Sequence, residues 1–167
     1  MDYRFCPHCG RPLILAEVAG RVRPTCFPCG FSQFPDPKVA TGVIATRGGR
    51  ILLQQRRHPP GKGLWSFPGG FVDAGERVEE AALREILDET HVEIRLEGLV
   101  GVYSQPGQPV IFIVYHGVIL SGEPSPGQES LAVGLFSLEE LPPLAFPHDV
   151  EVLRQWKERK TSPRISM

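Results

Sequence analysis

The sequence predicts an α/β fold, in which helices flank a mixed sheet and a small cysteine-rich unit precedes it. Three observations lead to this prediction. All four cysteines lie within the first 29 residues. Beyond them, short apolar segments separated by glycine and proline are typical of strands, and two longer segments have the apolar spacing of helices. A sheet covered by helices is the simplest architecture for this order of elements.

The composition limits the classes of protein that fit. The 167 residues suffice for one ordinary domain and a small appendage. The 18 Lys and Arg nearly balance the 19 Asp and Glu, for a formal net charge of −1, so binding of nucleic acid through a broad basic surface is not expected. The N-terminus lacks a signal-peptide pattern, and no run of about 18 apolar residues occurs. We therefore expect a cytoplasmic protein without membrane contact, and a homodimer is left open.

The spacing of the four cysteines is typical of a metal site. Cys6 and Cys9 are separated by two residues, sixteen residues follow, and Cys26 and Cys29 are again separated by two. This is the spacing of a zinc ribbon, in which each turn presents two sulfurs to one tetrahedral ion. Two disulfides or a redox-active pair are the alternatives. Because four protein sulfurs fill the coordination sphere, we expect the zinc to be structural.

The zinc ribbon is predicted to span residues 1–35. Within it, Leu13–Val18 and Arg21–Thr25 are strand-like segments joined by a two-residue turn, which is typical of a hairpin. Prolines stiffen residues 35–38, which indicates a connector. The second domain is therefore expected to span residues 36–167.

Five segments of the second domain are typical of strands. Val110–Leu120 is the richest in β-branched residues, which predicts a buried central strand. The other four segments are Val39–Thr46, Arg50–Arg56, Leu96–Tyr103 and Ala132–Phe136. A glycine-rich loop is expected between the second strand and the first helix.

Two segments have helical spacing, Val78–Glu89 and Pro147–Lys160. Neither contains an internal proline or glycine. The apolar side chains expected to face the sheet are Leu83, Ile86 and Leu87 in the first helix and Val150, Leu153 and Trp156 in the second.

The first helix also carries an acidic stripe. At about 100° per residue, Glu85, Asp88 and Glu89 fall on one face. Crowded carboxylates repel one another, so this arrangement costs stability unless a cation neutralises it. Oxygen ligands favour Mg²⁺ or Mn²⁺. The alternative is an ordinary solvated helix face.

A longer motif surrounds this stripe. The pattern Gly70-x5-Glu76-x7-Arg84-Glu85-Ile86-x-Asp88-Glu89 resembles the signature of the Nudix hydrolases, and the resemblance extends over about residues 38–160. It implies a Nudix-type α/β/α sandwich with a mixed sheet. It also implies metal-dependent hydrolysis of the diphosphate in a nucleoside diphosphate linked to another group.

The resemblance implies a role for each charged position of the motif. Glu85, Asp88 and Glu89 would be ligands of Mg²⁺, and Glu85 would also orient or deprotonate the attacking water. Arg84 would hold Glu85 in place. Glu76 would brace the loop or join the outer shell of the metal.

Two positions depart from the family pattern. Asp88 stands where glutamate is usual, which keeps the charge but shortens the side chain by one methylene. His91 replaces the usual glycine just after the helix, where a left-handed backbone is expected. We interpret His91 as a strained helix cap.

The fusion of a ribbon to this motif resembles the branch of the family that includes NADH pyrophosphatases and ribbon-bearing FAD or ADP-ribose pyrophosphatases. Ser104-Gln105-Pro106 matches the first half of a longer signature of the NADH branch, and the aromatic second half is missing. An ordinary turn is the alternative for this segment.

Three further residues are candidates for the site. Glu129 lies in a loop where related enzymes often place another acidic metal ligand or water-orienting group, and a solvated loop residue is the alternative. Leu144-Ala145-Phe146 resembles a segment of the ribbon-bearing branch, which implies that Phe146 contacts the base of the nucleotide; packing in the core is the alternative. Arg56 follows a strand that ends near the expected cleft, so it either pairs with a phosphate or forms a surface ion pair.

The sequence thus predicts a Mg²⁺-dependent pyrophosphohydrolase acting on a nucleotide such as ADP-ribose, FAD or NAD(H). The alternative is a nucleic-acid-binding or RNA-cap-removing module that uses the zinc ribbon.

Overall fold

The computed structural model describes residues 3–161. The chain divides into two compact units, Met1–Pro37 and Lys38–Met167. None of the helices in the described part of the chain is long and apolar enough to cross a membrane.

The first unit contains a two-stranded antiparallel hairpin, formed by β1 (Ile14–Val18) and β2 (Arg21–Thr25). The turn between them is Ala19-Gly20, and both residues have positive φ, 51° and 73°. Such two-residue turns match the twist of the strands that they join. The predicted hairpin is confirmed.

The second unit contains one sheet and two helices. Its elements are β3 (Lys38–Arg47), β4 (Arg50–Arg56), β5 (Trp65–Ser66), β6 (Gly69–Phe71), α1 (Val78–Thr90), β7 (Glu93–Tyr103), β8 (Val110–Ser121), β9 (Ser130–Phe136) and α2 (Pro147–Thr161). The main strand order is β5-β4-β3-β8-β7, with β6 paired to β3 and β9 paired to β4. β3 and β8 are parallel, whereas the other pairs are antiparallel. The predicted mixed sheet is confirmed.

The sheet lies between the two helices, because alternate residues of its central strands face opposite sides. On β3, Val43 packs in a core with Ile86 of α1, whereas the next residue, Ile44, packs in a core with Trp156 of α2. Successive side chains of a strand point to opposite faces of the sheet, so Val43 and Ile44 belong to different cores. The predicted α/β/α sandwich is confirmed.

The buried face of α1 differs from the predicted one. Leu83 and Leu87 are 40% and 45% exposed. The buried residues are Ala81, Ala82, Ile86, Glu89 and Thr90. Two alanines let the helix backbone lie close to the sheet, and this rotates the leucines outward. The prediction was wrong for both leucines and correct for Ile86.

The second helix is also turned slightly from the prediction. Val150 is 59% exposed, whereas Leu153 and Trp156 are buried as expected. Asp149 and Val152 complete the buried stripe. At about 100° per residue, positions 149, 152, 153 and 156 share one face, and position 150 lies beside it.

Two strand predictions need correction. β8 lies inside the sheet, but its first four residues are only half-buried, because Val110 and Phe112 line an open cavity. The expected glycine-rich loop contains two short strands, β5 and β6. A glycine-rich strand of three residues has too little apolar pattern to be found from sequence.

The two adjacent positions Ile86 and Leu87 test the corrected orientation of α1. Ile86 is 1% exposed, so Ile86→Ala should lower the free energy of unfolding by about 3 kcal/mol. Leu87→Ala should cost less than about 1 kcal/mol. Urea denaturation of the two variants provides the comparison, and a larger loss in Leu87→Ala would contradict this orientation.

Candidate active site

A cavity lined by acidic side chains lies between α1 and the loop that precedes β9. Its volume is about 770 Å³, and Glu85, Asp88, Glu89 and Glu129 all line it. The structure therefore brings together four of the acidic residues selected from the sequence. Three of them come from one helix face, and Glu129 faces them from the loop.

Backbone contacts hold this loop against α1. Gly127 N donates to Glu89 O at 2.9 Å, and Ser125 N donates to Thr90 O at 3.0 Å. A Cβ atom at Gly127 would lie 1.9 Å from Asp88 O. Only glycine permits this close approach, so Gly127 determines how near Glu129 comes to the helix.

The four acidic side chains differ in burial. Glu89 is only 5% exposed, and Gly69 N donates to its Oε2 at 2.7 Å. Glu85 is half-buried, whereas Asp88 and Glu129 are exposed. Burial raises the pKa of Glu89 to about 7, with repulsion from Glu85 and Glu129 adding to it. Burial also raises the pKa of Glu85, against the opposing effect of Arg84.

Arg84 connects two of the predicted residues. Its Nε and Nη2 donate to the two carboxylate oxygens of Glu76, each at 2.8 Å, and its Nη1 donates to Glu85 Oε1 at 2.8 Å. The hydrogen bonds from Arg84 lower the pKa of Glu76 to about 2. Glu76 also accepts from Asp73 N at 3.1 Å. It therefore lies against Arg84 and the loop, and it is not among the residues that line the acidic cavity.

Both glycines of β6 have neighbouring atoms too close for a side chain. A Cβ atom at Gly70 would lie 2.5 Å from Glu85 Oε1, and one at Gly69 would lie 2.2 Å from Thr41 O. Gly69 and Gly70 also line a second cavity. Because the amide of Gly69 contacts Glu89, β6 forms a wall between the two cavities.

The second cavity has a volume of about 530 Å³ and contains all four predicted substrate-binding residues. Arg56, Ser104, Gln105 and Phe146 each line it. Ser104 and Gln105 lie in the loop between β7 and β8, and both are exposed.

Phe146 lies in a stack of planar groups. Its ring is parallel to that of His148, with 5.2 Å between the centroids, and Arg56 Cζ lies 5.2 Å from its centroid on the ring face. Arg56 is held by donation from its Nε to Pro60 O at 2.8 Å. Cation–π and stacking contacts of this kind orient a guanidinium group towards a ligand.

Among the residues of this cavity that the sequence analysis did not select are Thr41, Ser66, His148 and Asp149. Asp149 is 1% exposed, and burial raises its pKa to about 7. The available signal was its position on the apolar stripe of the second helix, since a lone carboxylate on such a stripe is unusual.

The backbone of His91 has the predicted left-handed conformation, with φ of 57° and ψ of 28°. Its Nδ1 lies 3.1 Å from Ser125 Oγ and 3.2 Å from Ser125 O. His91 thus ends α1 and contacts the loop that carries Glu129, and its prediction as a cap is confirmed.

The four cysteines of the first unit converge. Sulfur atoms lie 3.5 Å apart between Cys6 and Cys29, 3.5 Å between Cys9 and Cys26, and 3.6 Å between Cys9 and Cys29. Disulfide sulfurs would be about 2 Å apart, whereas ligands of one tetrahedral zinc ion at about 2.3 Å lie a little under 4 Å apart. The four thiols are free, and this geometry could hold zinc.

The same hydrogen-bond pattern forms both cysteine turns. Gly10 N donates to Cys6 O at 2.9 Å, and Gly30 N donates to Cys26 O at 2.8 Å. Among residues 3–161, the four cysteines are the group of potential metal ligands whose atoms all lie within 4.8 Å of one another. The acidic side chains are spaced more widely.

Comparison with known proteins adds a family relationship. The NUDIX domain model matches residues 36–156. An ADP-ribose pyrophosphatase of Methanocaldococcus jannaschii is 39% identical over 127 residues, which cover 72% of this chain and 75% of that protein.

Two further matches extend over a larger share of the chain. The NAD-capped RNA hydrolase NudC of Pseudomonas aeruginosa is 35% identical over 84% of this chain, which spans about half (50%) of that relative. The crystal structure of a NUDIX hydrolase from Nitrosomonas europaea has a TM-score of 0.88 at 30% identity and covers 96% of this chain and 95% of its own.

Proposed function

Because the chain belongs to the Nudix family of hydrolases and acts on pyrophosphate bonds of nucleotide derivatives, we propose that the acidic cavity is its catalytic centre and requires Mg²⁺ or Mn²⁺. The observation that carries this proposal is the convergence of Glu85, Asp88, Glu89 and Glu129 on one cavity.

The acidic cavity fits a hydrated divalent ion. Repulsion among its carboxylates raises the pKa of Glu85 and of Glu89 in addition to the larger effect of burial, and a cation would remove that repulsion. The carboxylates are spaced too widely to be a complete set of direct ligands, and Mg²⁺ usually keeps several waters. Glu85, Asp88, Glu89 and Glu129 would therefore hold the ion partly through water. A bound ion would neutralise the phosphate oxygens and lower the pKa of a water molecule.

The protein groups have separate tasks in this proposal. Arg84 fixes Glu85 through a 2.8 Å hydrogen bond, and Gly69 N fixes Glu89. Glu85 orients the attacking water and accepts its proton, and its hydrogen bond with Arg84 fixes the carboxylate for this role. Glu76 keeps Arg84 in place.

We propose dinucleotide-like diphosphates, such as ADP-ribose, FAD or NAD(H), as the substrates. The similarity to an ADP-ribose pyrophosphatase supports this class. The 530 Å³ cavity beyond β6 could take a nucleoside while the diphosphate lies at the acidic cavity. Arg56 would pair with a phosphate, Phe146 would contact the base, and Ser104 and Gln105 would border the bound nucleoside.

A second candidate substrate is an RNA that carries a nucleotide cap. The similarity to a NAD-capped RNA hydrolase favours it. The net charge of −1 gives little electrostatic attraction for the RNA chain, so we rank it below the free dinucleotides.

We also propose that the four cysteines hold one structural zinc ion. All four ligand positions are sulfurs of the protein, which leaves no open site for a substrate or water. The unit that they organise is too small to be stable on its own apolar core.

Zinc removal should therefore unfold the first unit but leave the second folded. Elemental analysis should find one zinc per chain in protein purified without chelators, and Cys26→Ser should lose it. Circular dichroism in the presence of a strong chelator should change by only the small contribution of the hairpin. Protein without bound zinc that keeps the hairpin would contradict this assignment.

Removal of charge from the acidic stripe should strongly lower turnover without unfolding the protein. We expect Glu85→Gln and Glu89→Gln to lower kcat by about 100-fold or more, which is on the order of 3 kcal/mol. Glu80→Gln is the matched control, because Glu80 is exposed in the first turn of the same helix. Wild-type turnover at saturating Mg²⁺ in both site variants would show that the stripe is only a solvated face.

Glu89→Gln also has an expected effect on stability. Burial raises the pKa of Glu89 from 4.5 to about 7, so the stability that depends on its neutral form is present below pH 4.5 and is lost as the pH rises through 7. In the absence of metal at pH 8, Glu89→Gln should therefore melt no lower than the wild type.

The substrate class can be tested with a panel of purified compounds. We expect kcat/KM with Mg²⁺ to be higher for ADP-ribose, FAD or NADH than for nucleoside triphosphates, since the former fill both cavities. NAD-capped RNA belongs in the same panel. Product masses in ¹⁸O-labelled water identify the attacked phosphorus. Faster hydrolysis of the triphosphates would contradict the substrate class but not the family.

A further inference from the structure

We propose that Ser130 and Gln54 form a buried polar bridge that sets the position of Glu89 relative to Glu129, which faces it across the acidic cavity. Both act as positioning residues, since neither of them lines that cavity. The inference rests on the proposed function, because it takes the acidic cavity as the site of the divalent ion.

Ser130 connects the two sides of the acidic cavity. It directly follows Glu129 in the chain and is fully buried. Its Oγ donates to the backbone oxygen of Glu89 at 3.1 Å, and Gln54 Oε1 also accepts a hydrogen bond from it. A hydroxyl group has one proton to donate, so the two acceptors share it. The residue next to Glu129 is therefore bonded directly to Glu89.

Gln54 continues the bridge into the sheet. It is 1% exposed and lies two residues after Leu52 on β4, so both side chains point to the face that α1 covers. Its amide also interacts with the Glu89 carboxylate and opposes the rise of its pKa, although Nε2 has no partner at full hydrogen-bonding geometry among the described residues. A buried donor beside this carboxylate favours its ionised form, which is the form that binds a cation.

The packing of the core does not require this polar pair. Leu52 and Ile86 belong to the same apolar core, and two buried hydrogen-bonding partners can be replaced together by apolar groups of similar shape with little loss of stability. A polar pair at this place therefore points to a task other than packing. Groups that hold metal ligands from behind have such a task, because they fix the orientation of the ligand.

Other hydrogen bonds fasten the backbone of the loop. Arg57 Nη2 donates to Ser130 O at 2.7 Å, and Arg57 N donates to Glu129 O at 3.0 Å. Gly127 N donates to Glu89 O. None of these bonds involves the Ser130 hydroxyl, so the loop should stay in place when the hydroxyl is removed. The loss should then be limited to the side-chain bridge.

The test measures Mn²⁺ binding to the zinc-replete protein by the loss of the free-ion signal in electron paramagnetic resonance. We expect Ser130→Ala and Gln54→Met each to weaken binding by about tenfold or more, the usual effect of removing a group that holds a metal ligand. The Mg²⁺ concentration for half-maximal turnover should rise by a similar factor. Thr46→Val is the matched control, because Thr46 is also buried and its hydroxyl donates to Gly117 O at 3.2 Å. It should bind Mn²⁺ as the wild type does.

The double variant, Ser130→Ala with Gln54→Met, separates positioning from stability. Ser130→Ala alone leaves Gln54 Oε1 without its donor, and the second change removes that buried acceptor. The double variant should therefore melt above Ser130→Ala, but its Mn²⁺ affinity should stay low. It also serves, together with Gln54→Met, if Ser130→Ala fails to fold.

The bridge is refuted if the variants bind Mn²⁺ as tightly as the wild type while Glu89→Gln loses binding, a result that leaves the proposed function standing. It is also refuted if Thr46→Val weakens binding as much, or if the double variant recovers affinity together with stability. Mn²⁺ binding that Glu89→Gln does not change would overturn the proposed function, and the bridge with it.

Discussion

The close contact between β6 and α1 is the constraint on which the rest of the site depends. Alanines on the buried face of the helix bring its backbone near the sheet, and Gly69 N then reaches the carboxylate of Glu89 at 2.7 Å. The missing side chain of Gly70 leaves the space that the Glu85 carboxylate fills. A larger residue at Gly70 would collide with the Glu85 carboxylate of α1, and one at Gly69 would collide with the backbone of Thr41 on β3. Backbone proximity, more than apolar volume, thus positions the acidic residues.

The site combines two kinds of surface that would interfere with each other if they were mixed. The acidic cavity accumulates negative charge along the C-terminal half of α1, whereas the surface of the neighbouring cavity is mainly apolar. β6 separates them by a single extended backbone. In the proposed binding mode, the diphosphate would lie in the acidic cavity and the nucleoside in the neighbouring one, so each part of the substrate would meet a surface of matching polarity.

Sequence spacing was sufficient for the parts of the structure that depend on local geometry. Helical periodicity placed Glu85, Asp88 and Glu89 on one face, and the two-residue turn after Val18 was correct. Leu83 and Leu87 were misplaced because the helix packs close to the sheet through Ala81 and Ala82, whose small side chains leave no room for leucine at that interface. Asp149 was missed because the cavity that it lines is formed together with Thr41 and Ser66, which lie more than 80 residues away in the chain. Pairing between distant segments leaves no periodic signal.

The parallel pairing of β3 with β8 has a consequence for synthesis on the ribosome. Lys38 pairs with Val110, and Thr46 pairs with Val118. Paired positions of the two strands are thus 72 residues apart, and the ribosome must add these residues before β3 can pair with β8. At typical elongation rates this interval is on the order of ten seconds. During that time one edge of β3 is unpaired, although the acidic helix has already been synthesised. The nascent chain therefore exposes an edge to which chaperones or another chain can bind, and the hairpin of the first unit, whose contacts are local, can form before it.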